Sequence, residues 1–295
     1  MTVLQAIILG IVQGLTEFIP ISSTAHLVFA ARMIGLYDGV NAVLKAEQTT
    51  ATMAVIQLGT LLAVLIYFAR DIISITRAFF RDHVALLRGK RRTDGSVQLS
   101  QEAWLGWLVI IGSIPVSVVG LLFKNQIEGT FTKNLWVIAT MMIVVAVLLI
   151  IAELVGRQER TMEQLGISDA LAVGCAQVLA LIPGSSRSGS TIMGGLFTGL
   201  TRETAARFSF LLSIPAIAAS GLLELKEAVN KLPDGSYLPL IVATIVSGLV
   251  GYASIWFLLR FLRTHSTAVF IVYRLVVGAV ILFALVGGYI SASAV

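Results

Sequence analysis

Six long apolar stretches run along the chain, each close to the about 20 residues that a helix needs to cross a hydrocarbon core. They cover residues 50–70, 104–123, 135–154, 203–223, 237–259 and 268–290. Tryptophan and tyrosine residues stand near several of their ends, where aromatic rings favour the membrane interface. The pattern predicts an all-α integral membrane protein with six transmembrane helices.

Two further apolar stretches, residues 3–34 and 169–200, are interrupted in the middle by polar residues. Each predicts a pair of helices of about 15 residues, which at 1.5 Å per residue reach only about 22 Å. Such a helix is too short for a hydrocarbon core of about 30 Å. We therefore expect two re-entrant helix–turn–helix segments, whose irregular turns must line a cavity because lipid cannot satisfy their backbone.

The two interrupted segments resemble each other. Residues 19–24 read IPISST and residues 182–187 read IPGSSR, with Gln13 and Gln177 at nearly equal distances before them. This similarity predicts one membrane domain made of two inverted repeats, residues 1–153 and 154–295. Paired interrupted segments of this kind indicate a binding site at the interface of the repeats.

Composition agrees with a lipid environment. Hydrophobic residues make up 57% of the chain and charged residues 13%, against about 25% charged residues in soluble domains. The single Cys175 excludes an internal disulfide. No basic soluble domain interleaved with aromatic residues points to nucleic acid, so membrane topology explains the net charge of +5.

The basic residues also predict an orientation. If the basic loop 71–103 is cytoplasmic, most Lys and Arg residues lie inside, as the positive-inside rule requires. Both termini are then outside. The first interrupted segment enters from the outer face and the second from the cytoplasmic face, so their polar turns can meet within the membrane.

The second turn, residues 183–191 (PGSSRSGST), is typical of phosphate binding. Glycine lets a backbone approach a ligand closely, Arg187 offers a planar donor fork, and the start of the next helix adds N–H groups. The alternative is a Ser/Gly turn that only lets helices pack closely, and Arg187 favours the first interpretation. The candidate substrate-binding residues are Gly184, Ser185, Ser186, Ser188 and Thr191, with Arg187 as the candidate catalytic cation.

The first turn supplies chemistry that the second lacks, since ionisable groups at membrane depth mark functional sites. His26 can act as a nucleophile or general acid–base, and Ser23 is the alternative nucleophile. Glu17 can orient His26, accept a proton or bind a divalent cation such as Mg²⁺ or Ca²⁺, with Gln13 one turn away on the same face. The candidate substrate ligands here are Ser22 and Thr24.

Arg274 lies a few residues inside the last apolar stretch. Two interpretations are open for it: an arginine that extends to the interface, or a second phosphate contact.

The two turns resemble the signatures of a known family. Residues 13–26 (QGLTEFIPISSTAH) resemble the first signature of the bacterial undecaprenyl-pyrophosphate phosphatases associated with bacitracin resistance, and residues 183–191 resemble the second. Residues 55–59 and 273–274 also resemble family segments. The resemblance covers nearly the whole chain. It implies an enzyme of the bacterial inner membrane, its site open to the periplasm, that removes the terminal phosphate of undecaprenyl pyrophosphate and regenerates the lipid carrier for peptidoglycan synthesis.

The family pattern also transfers roles to single residues. Some members have glutamate where this chain has Gln13, and an acidic residue where it has Met53, which leaves Glu17 as the firm carboxylate. The residues that match functional positions of the family are Glu17, Ser23, His26, Ser186, Arg187 and Thr191.

Two other functions use similar features. Inverted repeats with broken helices are also a transporter architecture, so a polyprenyl-phosphate flippase is the first alternative, and a non-catalytic lipid-binding protein is the second. A flippase needs no nucleophile, so His26 beside Glu17 favours the enzyme. The sequence leaves open the nucleophile, the cation, the polyprenyl chain length and whether the chain forms a homodimer.

Overall fold

The computed structural model describes residues 1–88, 99–123, 134–231 and 237–292. Within these ranges the chain forms eleven α-helices and no strand. They are α1 (Val3–Phe18), α2 (Ser23–Met33), α3 (Ala42–Tyr67), α4 (Ala69–Leu87), α5 (Gln101–Leu122), α6 (Leu135–Val155), α7 (Ile167–Val178), α8 (Arg187–Phe197), α9 (Arg202–Lys231), α10 (Tyr237–Leu262) and α11 (Ala268–Val286).

Five helices of the described residues are long and apolar enough to cross a membrane, namely α3, α5, α6, α10 and α11. Each falls on one of the predicted stretches, so the chain is a helical membrane protein. The sixth predicted stretch, residues 203–223, lies in α9. That helix is 30 residues long and contains Pro215, and it is not one of the five.

Both interrupted segments form helix–turn–helix units, as the sequence predicts. Helices α1 and α2 have 16 and 11 residues, and α7 and α8 have 12 and 11. At 1.5 Å per residue, none of the four helices covers the thickness of a hydrocarbon core. Their turns are therefore held at an intermediate depth of the helix bundle.

Close packing of α10 between α1 and α3 fixes the position of the first unit. A Cβ atom on Gly14 of α1 would lie 2.8 Å from the carbonyl oxygen of Ser247, and one on Gly59 of α3 would lie 2.1 Å from that of Thr244. Small residues at such crossings let helix backbones approach each other. The end of α1, which carries Glu17, is thereby anchored to two long helices.

The chain passes through its long helices between two faces of the bundle. The first face is where α1 begins and α2 ends, and the second face is where α6 ends and α11 begins. Three ion pairs on the second face join neighbouring helices: Arg202–Glu153, Arg207–Asp71 and Arg263–Glu203. Glu153 also accepts hydrogen bonds from the backbone N–H and the hydroxyl of Thr267, just before α11.

The expectation of a loop over residues 71–103 is wrong for its first part, which is α4. Ile72, Ile75 and Phe79 follow each other at helical spacing and pack toward α5, where Gly106 lies against Ile75 and Phe79. A single apolar stripe with arginines on the other side does not raise the average hydropathy enough to mark a span. Residues 89–98 lie outside the described residues.

We expect the second face to be cytoplasmic, because basic residues are concentrated there. Thr264, in the turn after α10, and Ser291, after α11, are exposed on opposite faces. In a Cys175→Ala background, Ser291→Cys should react with an impermeant thiol reagent in intact cells. Thr264→Cys should react only after permeabilisation. Labelling of position 264 and not of 291 in intact cells would contradict this orientation.

Candidate active site

The two turns are built in the same way. Each ends on a serine with positive φ, Ser22 at 80° and Ser186 at 67°, a conformation that L-residues other than glycine adopt only with strain. Each serine caps the next helix, since Ser22 Oγ accepts from the N–H of Ala25 at 3.5 Å and Ser186 Oγ accepts from that of Gly189 at 3.2 Å. Strained backbone repeated at two related positions is typical of a functional site.

The structure corrects the ungapped alignment of the turns by one residue. Ser22 corresponds to Ser186, not to Ser185, because the second turn contains one extra residue, Gly184. Gly184 has a φ of 93°, and a Cβ atom there would lie 2.2 Å from the carbonyl oxygen of Ile138. Consequently α8 begins with Arg187 at the position where α2 begins with Ser23.

An ion pair joins the two units directly. Arg187 Nη2 donates to Glu17 Oε1 at 2.7 Å across 170 positions of the sequence. The other carboxylate oxygen, Oε2, accepts from Gln13 Nε2 at 3.1 Å. The side chains of Arg187 and Glu17 are only 15% and 7% exposed, so the predicted meeting of the two segments is a buried contact between opposite charges.

Arg274 holds both turns in place. Its side chain is fully buried, and Nη2 donates to the carbonyl oxygens of Gly184 and Ser185, both at 3.0 Å. Nη1 donates to the carbonyl oxygen of Pro20 at 3.3 Å, and Nε to that of Met142 at 3.2 Å. Neither sequence interpretation of Arg274 includes this arrangement, in which the guanidinium donates to backbone carbonyls of the two turns and of α6. A phosphate contact of the remaining Nη1 N–H stays a prediction.

His26 is held by its own helix and by α11. Its Nδ1 lies 2.6 Å from the carbonyl oxygen of Ser22, and its Nε2 lies 2.6 Å from the hydroxyl of Tyr273. A carbonyl can only accept, so Nδ1 carries a hydrogen, and in the neutral ring Nε2 presents its lone pair to the Tyr273 hydroxyl. Ser22 and Tyr273 therefore orient His26, in place of Glu17, which the sequence analysis expected to do so.

Tyr273 is the residue that sequence reasoning left out of the site. Its ring stacks on that of His26, with centroids 5.6 Å apart and planes 16° apart. The only signal for it was the similarity of residues 273–274 to a family segment. Adjacent residues of α11 thus support the two turns, Tyr273 through the imidazole and Arg274 through the backbone.

The remaining predicted hydroxyls divide by burial. Thr24 is exposed, Ser23 and Ser186 are partly exposed, and Ser185 and Ser188 are buried. Thr24, Ser23 and Ser186 therefore keep accessible surface that a ligand could contact.

Thr191 departs from its expected role as a substrate ligand. It is fully buried, and its hydroxyl lies 2.8 Å from the carbonyl oxygen of Arg187 and in contact with Ser209 Oγ. It braces the first turn of α8 from inside. By contrast, Ser185 Oγ and Ser190 Oγ are buried without a hydrogen-bond partner among the described residues, although such groups are rarely left unpaired.

A divalent cation would find only part of a site here. Both oxygens of Glu17 already accept from Arg187 and Gln13, and Gln13 presents its amide nitrogen. The described residues contain no group of three or more His, Cys, Asp or Glu able to hold a metal ion. Mg²⁺ is commonly held by one or two carboxylates together with substrate phosphates, and Glu17 is the residue here that would supply such a carboxylate.

The electrostatic character of the site favours an anion. Two capped helices, α2 and α8, begin at it, and each brings the positive end of its dipole. Arg187 adds a guanidinium, and Glu17 is the one carboxylate that the described hydrogen bonds place against it. A ligand with more than one negative charge, such as a diphosphate, matches this arrangement better than a single carboxylate.

Comparisons with known proteins point in the same direction. The family model of the bacitracin resistance protein BacA matches residues 6–280. The chain is 52% identical over 283 residues to the undecaprenyl-diphosphatase of Syntrophobacter fumaroxidans, with 96% of this chain and 97% of that protein covered. It is 47% identical over 295 residues to that of Mycolicibacterium vanbaalenii (99% and 100% covered) and 48% identical over 301 aligned residues to that of Chlorobium phaeobacteroides (99% and 100% covered).

The extra residue of the second turn gives a direct test of this geometry. Gly184→Ala should lower the melting temperature of the purified protein and abolish activity, because the added Cβ meets the Ile138 carbonyl oxygen. Gly39→Ala is the matched control. Its φ is 97°, yet nothing lies within 4 Å of the added atom, so it carries only backbone strain of about 1–2 kcal/mol. Equal melting temperatures for the two variants would contradict the packing of Gly184.

Proposed function

This chain belongs to the bacitracin resistance protein BacA family, and from that premise we infer that it is an undecaprenyl-diphosphatase, the name its relatives carry. It hydrolyses the anhydride bond of undecaprenyl pyrophosphate and releases undecaprenyl phosphate and inorganic phosphate. The buried contact between Glu17 and Arg187 is the observation that links this reaction to particular residues. The product returns as the lipid carrier for peptidoglycan synthesis.

The two units form an inverted repeat of re-entrant segments, and the diphosphate binds where their turns meet. Helix lengths too short to span lipid support this arrangement. Arg187 and the first N–H groups of α8 contact the phosphates, and Ser186, Ser23 and Thr24 supply hydroxyls from the open side. The polyprenyl tail lies between the helices.

The site opens toward the first face of the protein. On the other side, Phe18 contacts Phe210 with ring centroids 5.4 Å apart, and Phe210 contacts Phe68 at 6.1 Å. All three rings are almost fully buried. This apolar layer, together with the basic second face, supports a site open to the periplasmic side of the bacterial cytoplasmic membrane.

His26 supplies the reactive nitrogen. Nδ1–H is fixed on the Ser22 carbonyl, and the Tyr273 hydroxyl orients Nε2 in the free site. When the diphosphate binds, this hydroxyl turns away from the lone pair of Nε2, which either attacks the terminal phosphorus or removes a proton from an attacking water. In both cases the bond between that phosphorus and the bridging oxygen breaks, and the bridging oxygen stays with the lipid phosphate. On the covalent route, water then breaks the bond between Nε2 and phosphorus and releases inorganic phosphate. Ser23, one turn before His26 on α2, is the alternative nucleophile.

Transition-state charge is stabilised mainly by groups already in place. Phosphoryl transfer depends largely on positioning and on donors aimed at the phosphoryl oxygens. Arg187 is oriented by Glu17 before substrate arrives, so little reorganisation is needed when charge develops. A divalent cation that arrives with the diphosphate would bind Glu17 and add to this stabilisation, and no step above depends on it.

The paired broken helices also raised a flippase as the alternative, and the family of this chain and its named relatives do not support it. Transport alone does not require an imidazole whose tautomer is fixed by two hydrogen bonds. The named activity of the relatives also supports hydrolysis.

Purified protein in detergent should release inorganic phosphate from undecaprenyl pyrophosphate, since detergent abolishes vectorial transport but not hydrolysis. Arg187→Lys keeps the charge and loses the planar fork. We expect at least about tenfold lower turnover, because one lost transition-state donor commonly costs about 3 kcal/mol. Assays with and without a chelator reveal any need for a cation. Tight binding without phosphate release in the wild type would overturn the proposed function.

Tyr273→Phe tests the hydrogen bond to His26 separately from the packing of the ring. The phenyl ring keeps the stacking, so the melting temperature should stay unchanged. We expect kcat to fall about three- to tenfold with little change in KM, because the lost hydrogen bond is worth about 0.5–1.5 kcal/mol. Tyr252→Phe, at an exposed tyrosine beside Tyr67, is the control. A fall in melting temperature that accounts for the lost activity would make Tyr273 structural.

A further inference from the structure

A cavity of about 320 Å³ lies on the second face, between the ends of α3 and α10 and the beginnings of α4 and α9. Its wall carries three arginines and two carboxylates: Arg207, Arg260, Arg263, Asp71 and Glu203. This set leaves one net positive charge in a concave site that the proposed hydrolysis does not use.

The carboxylates hold two of the arginines in position. Arg207 Nη2 donates to Asp71 Oδ1 at 2.9 Å, and Arg263 Nε donates to Glu203 Oε1 at 2.8 Å. Each of these guanidinium groups keeps further N–H donors, since an arginine has five. The ion pairs therefore orient the arginines without using up their capacity to bind an anion.

Arg260 carries the uncompensated charge. It forms no ion pair with a carboxylate within the described ranges, and its guanidinium carbon lies 5.7 Å from the centroid of the Trp256 ring. Trp256 is 52% exposed, as is usual for tryptophan at a membrane interface. A guanidinium that lies over an aromatic face keeps its N–H donors available for a ligand, because the ring contact uses its charge and not these donors.

This cavity is separate from the diphosphate site. Phe68 lines it, and the buried layer of Phe68, Phe210 and Phe18 stands between it and the end of α1 that carries Glu17. A charged ligand cannot pass through such an apolar layer without losing its hydration. Occupation of the cavity therefore reports on a second binding event.

We propose that this cavity binds a phosphate group, carried by the headgroup of an anionic lipid or free as phosphate. Guanidinium groups match phosphate oxygens through paired hydrogen bonds. The cavity lies at the end of membrane-spanning helices, beside an interfacial tryptophan, where a lipid phosphate is at the right depth.

The test uses the purified full-length protein in neutral detergent. It is incubated with equal amounts of phosphatidylglycerol and phosphatidylcholine, and native mass spectrometry measures the lipid retained. A parallel series measures the melting temperature with increasing inorganic phosphate. Arg260→Gln breaks no ion pair among the residues that the structure describes. Arg77→Gln removes an exposed arginine of α4 outside the cavity and is the matched control.

We expect the wild type and Arg77→Gln to retain phosphatidylglycerol in preference to phosphatidylcholine. Arg260→Gln should weaken that preference about fivefold, because one arginine near an anionic surface is worth about 1 kcal/mol. Its phosphate release in detergent should stay unchanged, which separates this proposal from the proposed function. An Arg260-dependent rise of melting temperature with inorganic phosphate, without lipid preference, identifies free phosphate as the ligand. The absence of any Arg260-dependent effect in both series overturns the proposal.

Discussion

The Arg274 guanidinium donates hydrogen bonds to backbone carbonyl oxygens of both turns and of α6. The acceptors belong to Pro20, Gly184, Ser185 and Met142. A helix interrupted at membrane depth leaves carbonyl groups that lipid cannot satisfy, and each unsatisfied group costs several kcal/mol. A charged donor with a rigid fork pairs several of them at once. The other features of the site depend on this clamp, because only fixed turns can present their capping serines and side chains to the same ligand.

The two helix–turn–helix units share the same turn conformation but carry different side chains. Ser22 and Ser186 cap helices in the same strained conformation, and both helix starts attract anions. The first unit then adds the imidazole of His26, and the second adds the guanidinium of Arg187. In the proposed mechanism, the two similar turns together form the anion site, and the residues that differ between them separate binding from reaction.

The buried Glu17–Arg187 pair costs desolvation free energy and in return orients Arg187. Taking two charges out of water is expensive, and removing either partner leaves the other uncompensated. In the proposed mechanism, Glu17 orients Arg187 before substrate binds, and an incoming diphosphate brings further negative charge to the same guanidinium. The phenylalanine layer toward the second face keeps this exchange apart from the arginines at the opposite end of the bundle.

The sequence by itself determined the membrane class, the positions of five long helices, the two interrupted segments and the choice of Glu17, His26 and Arg187 as candidate site residues. These follow from local composition, since lipid demands long apolar runs and makes every ionisable exception visible. Only the tertiary structure decided the partners of His26 and Arg274, because those contacts join distant helices and often end on backbone carbonyls that every residue carries. It also decided the extra residue at Gly184, which is set by the Ile138 carbonyl oxygen packed against it.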